Sequence, residues 1–164
     1  MTVDVIVEDD RWDALDLQGL AATAAEESFS RLGLEASVWE VALLATTDAR
    51  VAALNGAFRG RDAPTNVLSW PSEERAAAIP GETPPPPDPA ASELGDIALA
   101  WETVDREARE LDLPLRTHVA HLVVHGILHL LGYDHQRDAD ATLMEGLESE
   151  ILGKMGHPDP YDRR

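Results

Sequence analysis

The sequence predicts a single α/β domain of the α+β type, in which helices pack on a small mixed sheet of about four strands. Two observations support this fold class. Short segments of alternating hydrophobicity, typical of strands, are interspersed with longer segments whose apolar residues recur at helical spacing. The length of 164 residues also suits one domain with a sizeable buried core. We expect this domain to span residues 1–155.

The N-terminal third of the chain is predicted to contain two strands and one helix. Valines alternate with polar residues over residues 3–7, as in a strand with one buried face. Apolar residues recur at helical spacing over residues 17–32, and Gly33 is positioned to end this helix. Residues 36–45 contain several valines and leucines and predict the second strand.

The middle of the chain is predicted to form a short helix, a turn, a strand and a long loop. Asp48 caps the helix, which is expected to end near Gly56. Turn-forming residues follow at 59–65, and residues 66–70 predict a strand that a proline ends. Residues 71–92 are rich in proline and predict a long loop that is either functional or disordered.

The C-terminal part is predicted to contain one strand and three helices. The strand covers residues 94–100, and the helices cover residues 102–111, 114–131 and 138–152. Pro114 opens the second of these helices, because the first helical turn does not need the backbone donor that proline lacks. We expect the charged residues 156–164 to form a loose tail.

The chain is strongly acidic, with 13 basic residues against 31 acidic ones and a net charge of −18. Such a field repels a polyanion, so the composition argues against nucleic acid binding over a broad surface. Residues 46–75 are the exception, since they hold four acidic side chains and four basic ones, all arginines. Any RNA contact is therefore expected to be local and to use arginines, whose guanidinium groups form paired hydrogen bonds to phosphate.

The chain contains no cysteine, so it forms no disulfide and offers no thiolate to a metal. A metal ion would have to be held by histidine and carboxylate. The N-terminal residues lack the features of a signal peptide, and no stretch reaches the roughly 18 apolar residues that a membrane helix needs. We therefore expect a cytoplasmic protein that has no membrane partner.

Four of the six histidines lie in the segment 118–129, at spacings that place them along one side of a helix. His125 and His129 are one helical turn apart, and His135 follows after Gly132 allows the chain to reverse. Three neutral imidazoles fill three positions of a tetrahedral zinc ion and leave the fourth open, which is the arrangement of a catalytic site. We expect these three histidines to hold one zinc ion per chain.

The alternative is a row of histidines that binds no metal. This spacing arises by chance in roughly one sequence of this composition per hundred, so the pattern favours a metal site. It also matches the zinc motif of the metzincin proteases, but Gly126 stands where those enzymes have the glutamate that acts as general base. The sequence therefore argues against peptide hydrolysis.

Three blocks of sequence carry a more specific signal. They are His125-Gly-Ile-Leu-His129-Leu-Leu-Gly-Tyr-Asp-His135, Leu54-Asn-Gly-Ala-Phe-Arg59-Gly-Arg-Asp-Ala-Pro-Thr-Asn-Val-Leu-Ser-Trp70-Pro, and Leu94-Gly-Asp-Ile-Ala-Leu-Ala100. In content and order they resemble the YbeY-type endoribonucleases, the bacterial rRNA maturation factors. The similarity spans about residues 45–155.

The resemblance implies a zinc-dependent enzyme that cleaves single-stranded RNA, processes the ends of 16S rRNA, notably the 3′ end, and acts in ribosome quality control. It places the zinc ligands on His125, His129 and His135, and the arginine implicated in catalysis on Arg59. Its expected partners are precursor rRNA and a ribosomal particle or its proteins. The sequence departs from the family at Trp70, where phenylalanine is usual, and in its longer proline-rich loop.

Other residues near these blocks are candidates for the same site. Arg59 is expected to bind the phosphate and to act with His125 in the catalytic centre, and Arg61 to contact a backbone phosphate of the substrate. Asp134 either accepts a hydrogen bond from a ligand imidazole or forms a turn. His121 is a candidate to touch the site from the preceding turn of the helix.

Two other functions stay open at this point. One is a ribosome-binding assembly factor in which zinc only braces the helix end, although three ligands rather than four argue against it. The other is a hydrolase of small phosphoesters or amides, because the sequence has no aromatic, basic sheet of the kind that stacks RNA bases. The sequence also leaves open whether water or a ribose 2′-hydroxyl attacks the phosphorus.

Overall fold

The structure, a computed structural model, contains a mixed four-stranded sheet with helices on both of its faces. It describes residues 2–35, 39–59, 65–88, 90 and 92–161. The strands are β1 (Thr2–Val7), β2 (Glu40–Thr46), β3 (Val67–Pro71) and β4 (Glu93–Ala100). The helices are α1 (Leu17–Leu32), α2 (Asp48–Arg59), α3 (Trp101–Glu110), α4 (Leu115–Leu130) and α5 (Asp138–Lys154), with a short 3-10 helix at Asp10–Ala14. The predicted fold class is confirmed.

The strands lie in the order β1-β2-β4-β3. β1, β2 and β4 run parallel to their neighbours, whereas β3 pairs antiparallel with β4 at one edge of the sheet. Parallel neighbours need a crossover connection, and α1 supplies it between β1 and β2. Helix α4 packs against β3, so the C-terminal part of the chain meets the sheet at this edge.

Side chains alternate between the two faces of β4, and each face has its own core. Ile97 and Leu99 belong to the larger core, which also contains residues of α1, α4 and α5. Ala98 and Ala100 belong to a smaller cluster with Val51 of α2. Because successive strand residues point to opposite faces, α4 covers one face of the sheet and α2 covers the other.

Helix α4 belongs to the larger core and packs closely on the sheet at Gly126. A Cβ atom added to Gly126 would lie 3.0 Å from Cδ1 of Ile97, which is tighter than an ordinary van der Waals contact. The glycine therefore lets the helix backbone approach the sheet. The histidines before and after it, His125 and His129, are only partly buried.

Two glycines end helices where the sequence predicted. Gly33 has a φ of 69°, and its N–H donates to the carbonyl oxygens of the last turn of α1. Gly132 follows α4 with a φ of 104°, and a Cβ there would lie 2.3 Å from the carbonyl oxygen of Arg75. Both the backbone angle and the close approach of Arg75 therefore favour glycine at position 132.

Two element boundaries differ from the sequence prediction. β2 begins at Glu40, later than the predicted start, and residues 36–38 lie outside the described part of the chain. α2 continues to Arg59 rather than ending near Gly56. A glycine inside a helix costs about 1 kcal/mol relative to alanine but keeps its backbone hydrogen bonds, so it does not by itself stop the helix.

The proline-rich loop after β3 has no regular secondary structure where it is described, yet it is anchored to the core. The guanidinium group of Arg75 is buried and donates to the carbonyl oxygens of Leu94 and Leu130, at 3.1 Å and 3.0 Å. Farther along, the N–H of Gly81 donates to a carboxylate oxygen of Asp140, at 2.9 Å. Arg75 and Gly81 thus connect the loop to the carbonyl end of α4 and to α5.

Residues 156–161, which the sequence analysis assigned to a loose tail, contact the helices in the structure. The N–H of His157 donates to the carbonyl oxygen of Leu152, and the hydroxyl of Tyr161 donates to Glu148, at 2.8 Å. The aromatic hydroxyl of Tyr161 thus finds a buried hydrogen-bond acceptor in Glu148. The last three residues lie outside the described part.

None of the helices in the described ranges combines the length and apolar character that crossing a membrane requires.

Candidate functional site

Helix α4 carries His118, His121, His125 and His129, so the predicted helical placement of this segment is confirmed. The structure divides these histidines into two pairs. His118 and His121 line one cavity, and His118 is buried with Nε2 2.9 Å from a carboxylate oxygen of Glu107. His125 and His129 line a second cavity at the C-terminal end of the helix.

The second cavity has a volume of about 450 Å³ and contains His135 in its lining as well. The structure therefore brings the three predicted zinc ligands to one place. Asn55 of α2 and Ser69 of β3 also line this cavity, and neither was identified from the sequence. Ser69 lies on the edge strand of the sheet, and its neighbours Val67 and Leu68 line the cavity as well.

The rings of His125 and His135 are neighbours, with centroids 5.2 Å apart and planes tilted by 55°. Two imidazoles bound to one tetrahedral zinc ion through bonds of about 2.0–2.1 Å have their centroids about 5 Å apart. The observed separation is therefore compatible with two rings that share one zinc ion. The side chain of His135 is 59% exposed and that of His125 is 23% exposed, so the cavity opens to solvent at His135.

The ring of His129 is held by the turn that follows the helix. Its Nδ1 atom lies 3.2 Å from the carbonyl oxygen of Tyr133. A carbonyl only accepts hydrogen bonds, so a neutral His129 that makes this contact carries its proton on Nδ1 and its lone pair on Nε2. Gly132 makes the contact possible, since its positive φ turns the chain back towards the last turn of α4.

Glu148 of α5, which the sequence analysis did not identify, contacts the ring of His125. Its side chain is 1% exposed; one oxygen lies 3.3 Å from Nδ1 of His125 and the other 2.6 Å from Nε2 of His121. Burial raises the pKa of this carboxyl, but the hydrogen bonds from His121 and His125 outweigh burial and lower the pKa to about 2. Glu148 falls on the same helical side as the buried Met144 and Ile151, and an acidic residue at such a position is a usable signal.

His121 therefore lies beside Glu148. It lines a different cavity from His125, His129 and His135. Asp134 does line the cavity of the three histidines. Its carboxylate accepts a hydrogen bond from the backbone N–H of His135, at 2.7 Å, and lies 3.9 Å from Nδ1 of that ring. The structure thus pairs Asp134 with the backbone of His135, and its two expected roles stay predictions.

The two candidate arginines are described only in part. Arg59 is the last residue of α2, and its side chain lies outside the described part of the structure. Arg61 lies in the segment 60–64, which is outside the described residues altogether. The backbone of Arg59 nevertheless follows Asn55 by one helical turn, and Asn55 lines the cavity.

Across the described ranges, no group of three or more histidine, aspartate or glutamate side chains is arranged so that it could hold a metal ion as placed. The zinc centre therefore stays a prediction. The structure does provide a cavity with three histidines around it, and two of these rings have their Nδ1 atoms beside acceptors.

Comparison with known proteins gives a consistent result. Residues 4–156 match the family model described as endoribonuclease YbeY. A relative named Endoribonuclease YbeY from Dinoroseobacter shibae is 54% identical, and the similarity covers 98% of this chain and 91% of the relative. A second relative of the same name, from Jannaschia sp., is 53% identical, with coverage of 98% and 100%. The solution structure of a Thermotoga maritima protein has a TM-score of 0.56 at 23% identity, covering 98% of this chain and 99% of that one. The last likeness concerns the fold alone.

Proposed function

The chain belongs to the YbeY family of endoribonucleases, and we propose that it hydrolyses single-stranded RNA with one zinc ion held by His125, His129 and His135. One observation carries the proposal: these three side chains, ten residues apart from first to last, line a single cavity. Nothing in a helix-and-turn fold requires three histidines to meet at one cavity, whereas a zinc site does.

The residues at the cavity suit zinc in their chemistry. Imidazole nitrogen is a common zinc ligand, and the spacing of the His125 and His135 rings is compatible with a shared zinc ion. The contact of His129 with a backbone carbonyl is the kind of outer contact that fixes the tautomer of a ligating histidine. Three protein ligands would leave one position for water or substrate.

The proposed chemistry combines this centre with arginine. When bound, zinc would supply a Lewis acid for a phosphoryl oxygen and would make water a stronger nucleophile at neutral pH. Arg59 binds the scissile phosphate through paired hydrogen bonds and stabilises the charge that develops there, and Arg61 contacts a neighbouring phosphate. Asn55 and Ser69 offer further polar groups at the cavity wall.

We place the activity in the maturation of rRNA, at the ends of 16S rRNA and notably its 3′ end, and in ribosome quality control. This part of the proposal rests on the family resemblance and on charge. A chain with a net charge of −18 attracts free RNA weakly, so a ribosomal particle or its basic proteins would bring enzyme and substrate together. That role places the protein in the cytoplasm.

Metal analysis paired with an RNA cleavage assay tests the proposal. We expect elemental analysis to find about one zinc per chain. Cleavage of single-stranded RNA should stop after treatment with a chelator and return when zinc is added back. Undiminished cleavage by verified metal-free protein would overturn the zinc-dependent mechanism, and lack of cleavage by zinc-loaded protein on any RNA would overturn the activity.

A further inference from the structure

We infer that Glu148 is a positioning residue, which orients the ring of His125 for metal binding, and that Tyr161 holds Glu148 in place. The inference rests on the proposed zinc site and adds to it two residues that are distant in sequence from the three histidines. It rests on the hydrogen bonds between the buried carboxylate of Glu148 and the side chains of His121, His125 and Tyr161.

Every group that faces the Glu148 carboxylate in this set is a potential donor. Nδ1 of His125 lies 3.3 Å from one oxygen, while Nε2 of His121 and the hydroxyl of Tyr161 lie 2.6 Å and 2.8 Å from the other. An ionised carboxylate only accepts hydrogen bonds, so each of these groups must present its proton. For His125 this requirement places the proton on Nδ1 and leaves Nε2 with the lone pair that a metal needs.

A purely structural role explains this arrangement poorly. The Glu148 side chain is 1% exposed, so burying this carboxylate has a desolvation penalty that its hydrogen bonds must first overcome before they add to stability. An apolar residue at this helix position would continue the core that surrounds it. A carboxylate beside a ligating histidine does something an apolar residue cannot, because it fixes the ring and makes its other nitrogen a stronger ligand.

The C-terminal segment completes the set. Residues after α5 bring Tyr161 onto Glu148, and the Tyr161 ring meets the His121 ring edge to face, with centroids 5.6 Å apart. Tyr161 therefore holds the carboxylate through the oxygen that does not face His125. Removing its hydroxyl should loosen Glu148 without removing the carboxylate, so its effect should be smaller than that of changing Glu148 itself.

The first measurement is zinc affinity, determined by competition with a coloured chelator. Glu148→Gln keeps the shape of the side chain but removes the charge, and its amide N–H group would face other hydrogen-bond donors. We expect zinc to bind about 10- to 100-fold more weakly to this variant. Tyr161→Phe should cause a smaller loss. The matched control is Glu150→Gln, the same chemical change at an exposed position of the same helix, and it should bind zinc as the unmodified protein does.

The second measurement needs no metal. Nitrogen-15 NMR of the histidine rings in metal-free protein, at a pH where they are neutral, should show His125 with its proton on Nδ1. In Glu148→Gln the same ring should become a mixture of tautomers, a change that a merely structural residue would not produce.

The outcomes separate this inference from the proposed function. If the unmodified protein binds no zinc, the proposed metal centre fails and the role of Glu148 fails with it. If the unmodified protein binds zinc and Glu148→Gln binds it equally well with an unchanged His125 tautomer, only the role of Glu148 is overturned. Should Glu148→Gln not fold, Tyr161→Phe decides: unchanged affinity and tautomer in that variant contradict the inference.

Discussion

The carbonyl oxygen of Tyr133 lies 3.2 Å from Nδ1 of His129, so the turn that ends α4 also orients a histidine of the helix it ends. The geometry of this turn depends on Gly132, and the chain beyond it delivers His135 to the same cavity. The turn after α4 therefore ends the helix, orients the ring of His129 and brings His135 to the cavity. Changes in the turn should affect the site even where they remove no proposed ligand.

The first prediction concerns His129 itself. His129→Ala removes one of three proposed ligands, and the two remaining imidazoles should hold zinc too weakly to retain it during purification. Elemental analysis should therefore find most of the zinc gone. His157→Ala is the control, because His157 lies in the C-terminal segment and lines the other cavity. Full zinc occupancy in His129→Ala would remove this residue from the ligand set.

The second prediction separates binding of the metal from chemistry at the phosphate. Arg59→Ala should keep zinc and fold but lower kcat by about 10²–10³-fold, since a charged donor to the phosphate acts mainly in the transition state. Arg59→Lys should recover part of the rate, because an ammonium group cannot form the paired hydrogen bonds.

The control for Arg59 is Arg50→Ala, which changes an exposed arginine of the same helix that pairs with Glu8. Steady-state cleavage of a short single-stranded RNA, with zinc content measured in parallel, gives the comparison. A parent-like rate in Arg59→Ala would exclude Arg59 from catalysis.

The third prediction tests the turn after α4. Gly132→Ala adds a Cβ at a φ of 104°, where it would meet the Arg75 carbonyl oxygen at 2.3 Å. We expect the free energy of unfolding to fall by more than about 1 kcal/mol and zinc to bind more weakly. In Gly153→Ala, within α5, the new Cβ meets nothing within 4 Å, so this control should be neutral or slightly more stable. Urea unfolding of both variants checks the difference.

The fourth prediction concerns the anchor of the proline-rich loop at Asp140. A backbone hydrogen bond from Gly81, together with Arg137, holds the pKa of the Asp140 carboxyl below its usual range. A carboxyl whose pKa is lower in the folded state stabilises the fold above its unfolded pKa, and this contribution is lost as the pH falls. The stability difference between the unmodified protein and Asp140→Asn should thus be largest near neutral pH and should shrink below about pH 4. An equal difference at all pH values would argue against the ionised anchor.

The fifth prediction follows from the net charge of −18. Purified protein should cut naked precursor rRNA slowly, with little sequence preference and with strong sensitivity to salt. On immature ribosomal particles it should cut more selectively. Mapping of cleavage sites on both substrates at matched salt makes the comparison, and equal rates with identical sites on the two would contradict a partner-directed enzyme.

The sequence predicted best those features that depend on local chemistry. The ends of α1 and α4 follow from Gly33 and Gly132, because each glycine acts on the turn in which it stands. The meeting of His125 and His129 at one cavity also follows from helical spacing within a single element.

The features that the sequence did not predict depend on contacts between distant parts of the chain. Glu148 meets His125 only because α5 packs beside α4, and no spacing rule connects residues on two helices. The anchoring of the loop by Arg75 and the return of Tyr161 to Glu148 are of the same kind. The order of the strands could not be predicted either, since it is decided by which faces the helices cover.

The contact between Gly126 and Ile97 restricts how this chain could change its chemistry during evolution. A glutamate at position 126 would create the peptidase form of the zinc motif, but its Cβ would begin 3.0 Å from Cδ1 of Ile97. Its carboxylate would start from a helix face that is buried against the sheet, where an unpaired charge is strongly destabilising. The substitution would therefore force the Ile97 side chain to shift and would bury a charge on the same face of the helix. The packing beneath the histidines therefore disfavours the peptidase form of the motif at this position.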